Sequence, residues 1–481
     1  MTAPRDLLIG AEWRQGRGAP FDSINPADGS VAASLSAASA EDVAEAVGVA
    51  RAAAHAPGWR NMRPHARARL LHALADATAA ASEELARAQM VDNGKTLAEC
   101  RSQAGAAVGV FRYFAALCET LEGQLTPQRG DSLTLALHEP MGVVAAITPW
   151  NSPITLEAQK LAPALAAGNA VVLKPSEVTS QVALIYGRLA LEAGFPPGLV
   201  NVLTGQGDVG RALVAHPAVD LVSFTGGTAA GRAIAEAAGR RLAPVILELG
   251  GKSPNMIFAD ADFDAAVAGA AGGIFGSGGQ SCIAGSRIFV ERSIYDDFVA
   301  ALVAKAADYN PGLPEDAGAK IGPMASFAHR DAVAAAVDRA RAEGAEVRCG
   351  GAPPDHPRLA AGAFYLPTVL TGLDNRAETS QREIFGPVCV VLPFEDEGDL
   401  LAQANDTEFG LAAGVWTTDS RKAWRVARGV RAGTVWINGY KEGSISTPFG
   451  GMGQSGIGRE KGREGLLAYC QSKGVFWRLD P

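Results

Sequence analysis

The chain has 481 residues, 48% of them hydrophobic and 20% charged, which is a globular composition too long for one ordinary core, so two or more domains are expected. Its formal charge of −8 is spread without long blocks of like charge, which argues against nucleic acid and against a basic membrane-binding face as partners. Six cysteines lie far apart, with no C-x-x-C pair and no Cys/His spacing suited to zinc, so reduced thiols, a cytoplasmic location and no metal site are expected.

The N-terminal Met-Thr-Ala-Pro-Arg-Asp lacks the charged and apolar regions of a signal peptide. Residues 40–56 and 64–91 are rich in Ala, Leu, Arg and Glu with apolar residues at helical spacing, so the first third reads as mostly helical, with Ser39 and Ser82 as candidate caps. From residue 142 the pattern changes to short β-rich runs at 142–148, 170–173, 199–203 and 221–224, separated by helical stretches. This is βαβ repetition, which predicts a parallel sheet. The apolar runs at 141–150 and 265–276 are too short to span a bilayer, and the second reads as a packed helix. A second α/β series follows, with strands at 288–290, 388–392 and 433–438 and helices near 293–308 and 326–343. Residues 133–139 alternate apolar and polar side chains, and 475–479 is strand-like. Isolated ribbons of this kind need a partner edge, so a homo-oligomer, dimer or tetramer, is expected.

Cys282, in Gly-Gly-Gln-Ser-Cys-Ile-Ala (278–284), is the candidate nucleophile, because its small neighbours let a substrate and backbone N–H groups approach a thiol closely. Glu248 in Glu-Leu-Gly-Gly-Lys (248–252) can act as its partner, and together they suggest covalent catalysis through a thioester. Gly205-Gln-Gly207-Asp-Val-Gly210 fits G-x-G-x-x-G, but no acidic residue closes the next strand, which leaves a plain strand-to-helix turn as the competing reading. Lys174-Pro-Ser-Glu177 explains a dinucleotide better. Glu177 could accept hydrogen bonds from both ribose hydroxyls while repelling a 2′-phosphate, which favours NAD and leaves NADP as the secondary cofactor. Phe224-Thr-Gly-Gly-Thr228 then turns from a strand into a helix whose N-H groups and positive dipole end suit a pyrophosphate.

This run of motifs resembles the aldehyde dehydrogenase superfamily, in its non-acylating, NAD(P)-dependent form, across essentially the whole chain. It covers Thr148-Pro-Trp-Asn151, Lys174-Pro-Ser-Glu177, Phe224-Thr-Gly-Gly-Thr228 and Glu248-Leu-Gly-Gly-Lys252, then Gly279-Gln-Ser-Cys282, Glu383-Ile-Phe-Gly-Pro387 and Pro448-Phe-Gly-Gly451. The resemblance implies an α/β fold. A Rossmann-like cofactor-binding domain would take residues 1–120 and 141–250, with 450–461 returning to it, and a second α/β catalytic domain would take 251–449. A small β oligomerisation element would take 121–140 and 462–481.

The resemblance also implies that Cys282 attacks an aldehyde and that Asn151, with the Cys282 backbone N–H, holds the resulting oxyanion. Hydride then passes to the nicotinamide, and Glu248 activates water to hydrolyse the thioester to a carboxylic acid. Lys160 and Glu460 match a pair that the family places behind the catalytic carboxylate, as a proton relay or a structural ion pair. Thr148, Trp150, Lys174, Glu177 and Gly207 are implied cofactor contacts. Phe224 and Gly227 join them, and Glu383 and Phe385 resemble residues that hold the nicotinamide ribose and flank its ring.

The sequence departs from the common pattern in places. Gly227 stands where many members carry Ser, which would remove one pyrophosphate contact. Ser152, Thr155, Leu156 and Gln159 make the segment after Asn151 less greasy than in fatty and retinal aldehyde enzymes. Gly443 replaces a frequent aromatic, and Lys441 could pair with a substrate carboxylate or simply be solvated. Two other chemistries compete: a CoA-acylating enzyme, which has no need of Glu248, and a cofactor-independent thiol esterase, which needs neither Glu177, Glu383 nor the Gly226-Gly227 turn. A catalytically silent homologue would not need Cys282, Glu248 and Asn151.

Overall fold

The structure, a computed structural model, describes residues 5–127 and 130–479. The parts of the expected divisions at 1–4, 128–129 and 480–481 lie outside the described residues.

An eight-stranded sheet is built on five parallel strands in the spatial order Val200–Val202, Ala170–Lys174, Val143–Ile147, Leu221–Thr225 and Val245–Glu248. These strands are almost wholly buried because helices cover both faces, which is why they read in the sequence as continuous apolar runs. Leu7–Ile9, Glu12–Arg14 and Gly456–Ile457 extend the sheet antiparallel at its edges. The chain winds outward in one direction from Val143–Ile147 and in the other from Leu221–Thr225. A crevice therefore opens between the carboxyl ends of these two strands, the place where doubly wound sheets take ligands.

The second sheet has seven strands, ordered Glu346–Cys349, Thr368–Thr371, Val388–Phe394, Arg287–Glu291, Pro254–Ile257, Ala412–Trp416 and Thr434–Ile437. All pairs are parallel except the first. Cys470–Arg478 pairs antiparallel with Ser132–Pro140 along its full length, and Gln124–Leu125 adds a short third strand. This ribbon exposes Leu125, Phe476 and Trp477.

Three local expectations need amendment. The residues before the first helix are strands, including the pair Gly18–Ile24 and Val31–Ala37, so the first third opens as β structure. The helix expected over 64–91 is two, Pro64–Ala80 and Ser82–Asn93, broken at Ala81. Ser82 does not cap the second, because its hydroxyl bonds back to the carbonyl of Ala79 at 2.8 Å. Ser39 does cap Ala40–His55, in a capping box with Asp42. The 265–276 run forms the helix Phe263–Phe275. Among the described residues, no helix is long and apolar enough to cross a membrane, and no cluster of His, Cys, Asp and Glu could hold a metal ion.

Candidate active site

Two cavities meet at the crevice. The larger, about 670 Å³, is lined by Thr148, Trp150, Lys174, Glu177, Gly207, Phe224 and Gly227. Gly207 and Thr228 each open a helix, Gly207–Ala215 and Thr228–Gly239, and neither helix has a side-chain cap. Their first-turn N–H groups are thus free for an anion such as a pyrophosphate. A Cβ on Gly227 would meet nothing within 4 Å, so its lack of a side chain leaves room at the helix entrance. Burial lowers the pKa of Lys174, whose ammonium stands 3.7 Å from the half-exposed Glu177 carboxylate. That carboxylate keeps acceptor capacity for ribose hydroxyls. The residues fit a dinucleotide: two helix N-termini for the phosphates and a carboxylate at the sugar end.

The smaller cavity, about 360 Å³, contains Asn151, Glu248, Cys282, Glu383 and Phe385, and it shares Trp150, Gly226 and Gly227 with the larger one. Cys282 is delivered by a tight turn. The helix Phe263–Phe275 stops at Gly276, and Ser277, Gly278 and Gly279 follow in left-handed conformation, with φ of 60°, 61° and 68°. A side chain at Gly279 would collide with the Gly386 carbonyl. Gln280 locks the loop: its Oε1 accepts from Ala325 N at 2.8 Å, and its carbonyl accepts from Asn151 Nδ2 at 3.1 Å. The Asn151 amide is thereby aimed beside the half-buried thiol. Burial pushes the Cys282 thiol up to about 12, and Glu383 and Glu248 add to this, while Lys461 and Lys441 oppose it.

Glu248 ends its strand and is buried, with neither carboxylate oxygen hydrogen-bonded among the described residues. Burial, and then the charge of Glu460, raise its pKa well above the usual carboxylate range. Lys160 and Glu460 line neither cavity but lie behind Glu248, paired at 2.7 Å in the protein interior. Lys160 also donates to Ser223 Oγ at 3.0 Å, and Ser223 is hydrogen-bonded to Tyr469 at 2.9 Å.

At the junction, Trp150 packs edge-on against Phe385 at 5.2 Å between ring centres, and His329 closes the group. Phe385 is held at φ 59° with its carbonyl 2.8 Å from His329 Nε2. Glu383 accepts from Gly251 N at 3.1 Å, and burial pushes its carboxyl up to about 7.

Several residues escaped sequence reasoning. Gln280 and His329 position the loop and the aromatic group, and Lys461 lines the smaller cavity. Ser223 was signalled only by being polar in an apolar strand, and Lys461 only by its adjacency to Glu460. Neither Lys441 nor Gly443 is in the cavity lining, and the neighbouring Tyr440 packs its ring on Gly273, Gly285 and Gly414. Ser152, Thr155, Leu156 and Gln159 do line it.

The chain matches the family model described as "Aldehyde dehydrogenase family" over residues 13–475. It is 40% identical over 477 residues to the (Z)-2-((N-methylformamido)methylene)-5-hydroxybutyrolactone dehydrogenase of Acinetobacter baylyi, covering 98% of this chain and 96% of that one. It also resembles a solved structure of betaine aldehyde dehydrogenase from Staphylococcus aureus in complex with NAD+, with a TM-score of 0.97 and 40% identity, covering 99% of this chain and 95% of that one. With a candidate thiol nucleophile, an amide donor and a buried carboxylate gathered at a dinucleotide-shaped crevice, the chain belongs to the aldehyde dehydrogenase family.

Proposed function

We propose that Cys282, Asn151 and Glu248 carry the chemistry of this enzyme, the NAD-dependent oxidation of an aldehyde to a carboxylic acid. The observation that carries the reading is that these three side chains share one cavity with Glu383 and Phe385, and that this cavity opens into the dinucleotide-shaped one at Trp150.

Cys282 gives up its proton to water, and its sulfur adds to the carbonyl carbon. The oxygen takes the electron pair, and Asn151 Nδ2 and the Cys282 N–H donate to it. The thiol needs help to ionise, because burial disfavours the thiolate; Lys461 and Lys441 supply positive charge that favours it. NAD, when bound, accepts the hydride that leaves this carbon. Cys282 is left as a thioester. Glu248 then takes a proton from water, the hydroxide adds to the thioester carbon, the C–S bond breaks and Cys282 leaves as thiolate. The sum is aldehyde, NAD+ and water to carboxylate, NADH and two protons. Lys160 and Glu460, backed by Ser223 and Tyr469, stand where they can carry the proton away from Glu248.

Thr148, Lys174, Glu177, Gly207, Phe224 and Gly227 hold the cofactor in this reading, with Glu383 and Phe385 at its reactive end. The sheet memberships support assigning 1–120, 141–250 and 450–461 to cofactor binding, 251–449 to catalysis, and 121–140 with 462–481 to assembly. The exposed apolar edge at Phe476 and Trp477 supports a homo-oligomer, and six free cysteines support a cytoplasmic location.

A buried Glu248 favours water over coenzyme A as acyl acceptor, and the dinucleotide cavity has no use in a thiol esterase. NADH absorbance with wild type and Cys282→Ala tests the reading. Wild type forms NADH from aldehydes and Cys282→Ala does not; NADH formation that survives the substitution removes Cys282 from the chemistry.

A further inference from the structure

Two lysines stand at or beside the cavity of Cys282, and favouring the thiolate does not use all that their ammonium groups can do. Lys461 adopts a left-handed backbone, φ 58°, and lies on the cavity wall with Glu248 and Cys282, its ammonium 4.7 Å from the centre of the Phe449 ring. Among the described residues it has no ion-pair partner. The nearby carboxylates are engaged or disfavoured as anions. Glu460 is paired with Lys160, Glu99 is paired with Lys95 at 2.6 Å and accepts from Ser277, and burial pushes both Glu248 and Glu383 toward their neutral forms. Lys441, also left-handed and half-buried, has one hydrogen-bond partner among the described residues, the Gly276 carbonyl at 3.5 Å. Burial lowers the pKa of both lysines, Lys441 to about 8.

Two half-buried ammonium groups therefore stand near the nucleophile, each in the field of a carboxylate, Glu99 for Lys441 and Glu460 for Lys461, but neither in a direct ion pair among the described residues, which leaves both able to take an arriving anion. The rest of the wall is mixed, with Ser152, Thr155, Gln159 and Ser281 beside the apolar Trp150, Leu156, Ile283 and Phe449, which suits a short apolar chain with a polar end. A cationic substrate would be repelled, and the Phe449 ring face that could hold it is already covered by Lys461.

We propose that the aldehyde taken by this site carries a carboxylate at its far end, and that Lys461 binds that carboxylate, with Lys441 adding to the positive field. Lys461 is then a specificity residue for the oxidation. The proposal rests on the aldehyde-oxidising reading above.

The test is NADH formation by wild type, Lys461→Gln and Lys461→Arg with glutaric semialdehyde, pentanal and a trimethylammonium aldehyde of similar length. Wild type is expected to rank them in that order by kcat/KM. Lys461→Gln should lower the ratio of glutaric semialdehyde to pentanal about tenfold or more, chiefly through KM, the loss expected for one charged hydrogen bond. Lys461→Arg should keep most of the ratio. Because the ratio is taken within one preparation, loss of folded protein cancels. An unchanged ratio overturns the proposal, and where it comes with equal losses for both aldehydes Lys461 keeps only its role toward the thiolate. NADH from pentanal with no preference for the carboxylate also overturns it while leaving the oxidation standing. If no aldehyde yields NADH, the oxidation fails, and protection of Cys282 from iodoacetamide decides the proposal alone: protection by glutarate and not by pentanamide supports it, and no protection overturns it.

Discussion

If Glu248 activates water as proposed, Glu248→Gln separates the two halves of the reaction. The carboxylate is buried and makes no hydrogen bond among the described residues, so an amide of nearly the same shape breaks no existing contact. What it loses is the ability to take a proton from water. A positioned general base contributes about 100- to 10,000-fold, which corresponds to roughly 3 to 5 kcal/mol of barrier, and the full effect falls on thioester hydrolysis. Rapid mixing with aldehyde and NAD should therefore give a burst of about one NADH per active site at close to the wild-type rate, followed by a steady state lower by that factor. The pH dependence adds a second signature. Burial and Glu460 raise the pKa of Glu248, so its basic form, and with it wild-type turnover, grows as pH climbs through that raised value. This limb should vanish in Glu248→Gln. An unchanged steady state would remove Glu248 from hydrolysis, and loss of the burst would move its action to the step before hydride transfer.

Other expectations follow from the same geometry. Asn151→Ala removes a neutral donor held near the thiol and should lower kcat by about 100- to 1,000-fold, while leaving the buried Gln280 carbonyl unpaired should cost about 1 to 3 kcal/mol of stability, measured by steady-state NADH formation and calorimetry. Lys160→Met strands the Glu460 carboxylate in the interior and should destabilise the fold by about 3 to 5 kcal/mol; a denaturation midpoint equal to wild type would show that the pair contributes nothing. Glu177→Ala removes the carboxylate proposed to meet the ribose hydroxyls, in a cavity that exposed Arg211 also lines, so the ratio of NADP to NAD use should rise about tenfold or more. A ratio that stays fixed would exclude Glu177 from cofactor choice.

The parallel strands were legible because burial on both faces demands continuous apolar runs: Val143–Ile147, Ala170–Lys174 and Leu221–Thr225 each appear as such a run in the sequence. The break at Ala81 was signalled only by Ser82, a capping residue type inside the run, since neither Gly nor Pro marks it. Ser82 looked like a cap because a hydroxyl's choice between the next turn and the previous one depends on three-dimensional geometry. Cys282, Asn151 and Glu248 could be named from their motifs, but their meeting in one cavity depends on how the two large sheets face each other. The electrostatics were the least legible part. Lys461 reads as an ordinary lysine in the sequence, and only the structure seats it over Phe449 in the lining that also holds Cys282.

The covalent step itself can be observed most directly by quenching Glu248→Gln in acid during turnover with aldehyde and NAD and weighing its peptides. The thioester reading predicts one acyl group, of the mass set by the aldehyde, on the peptide carrying Cys282, and none when Cys282→Ala is added. An acyl group on another cysteine, or NADH formation with no adduct on any peptide, would contradict it.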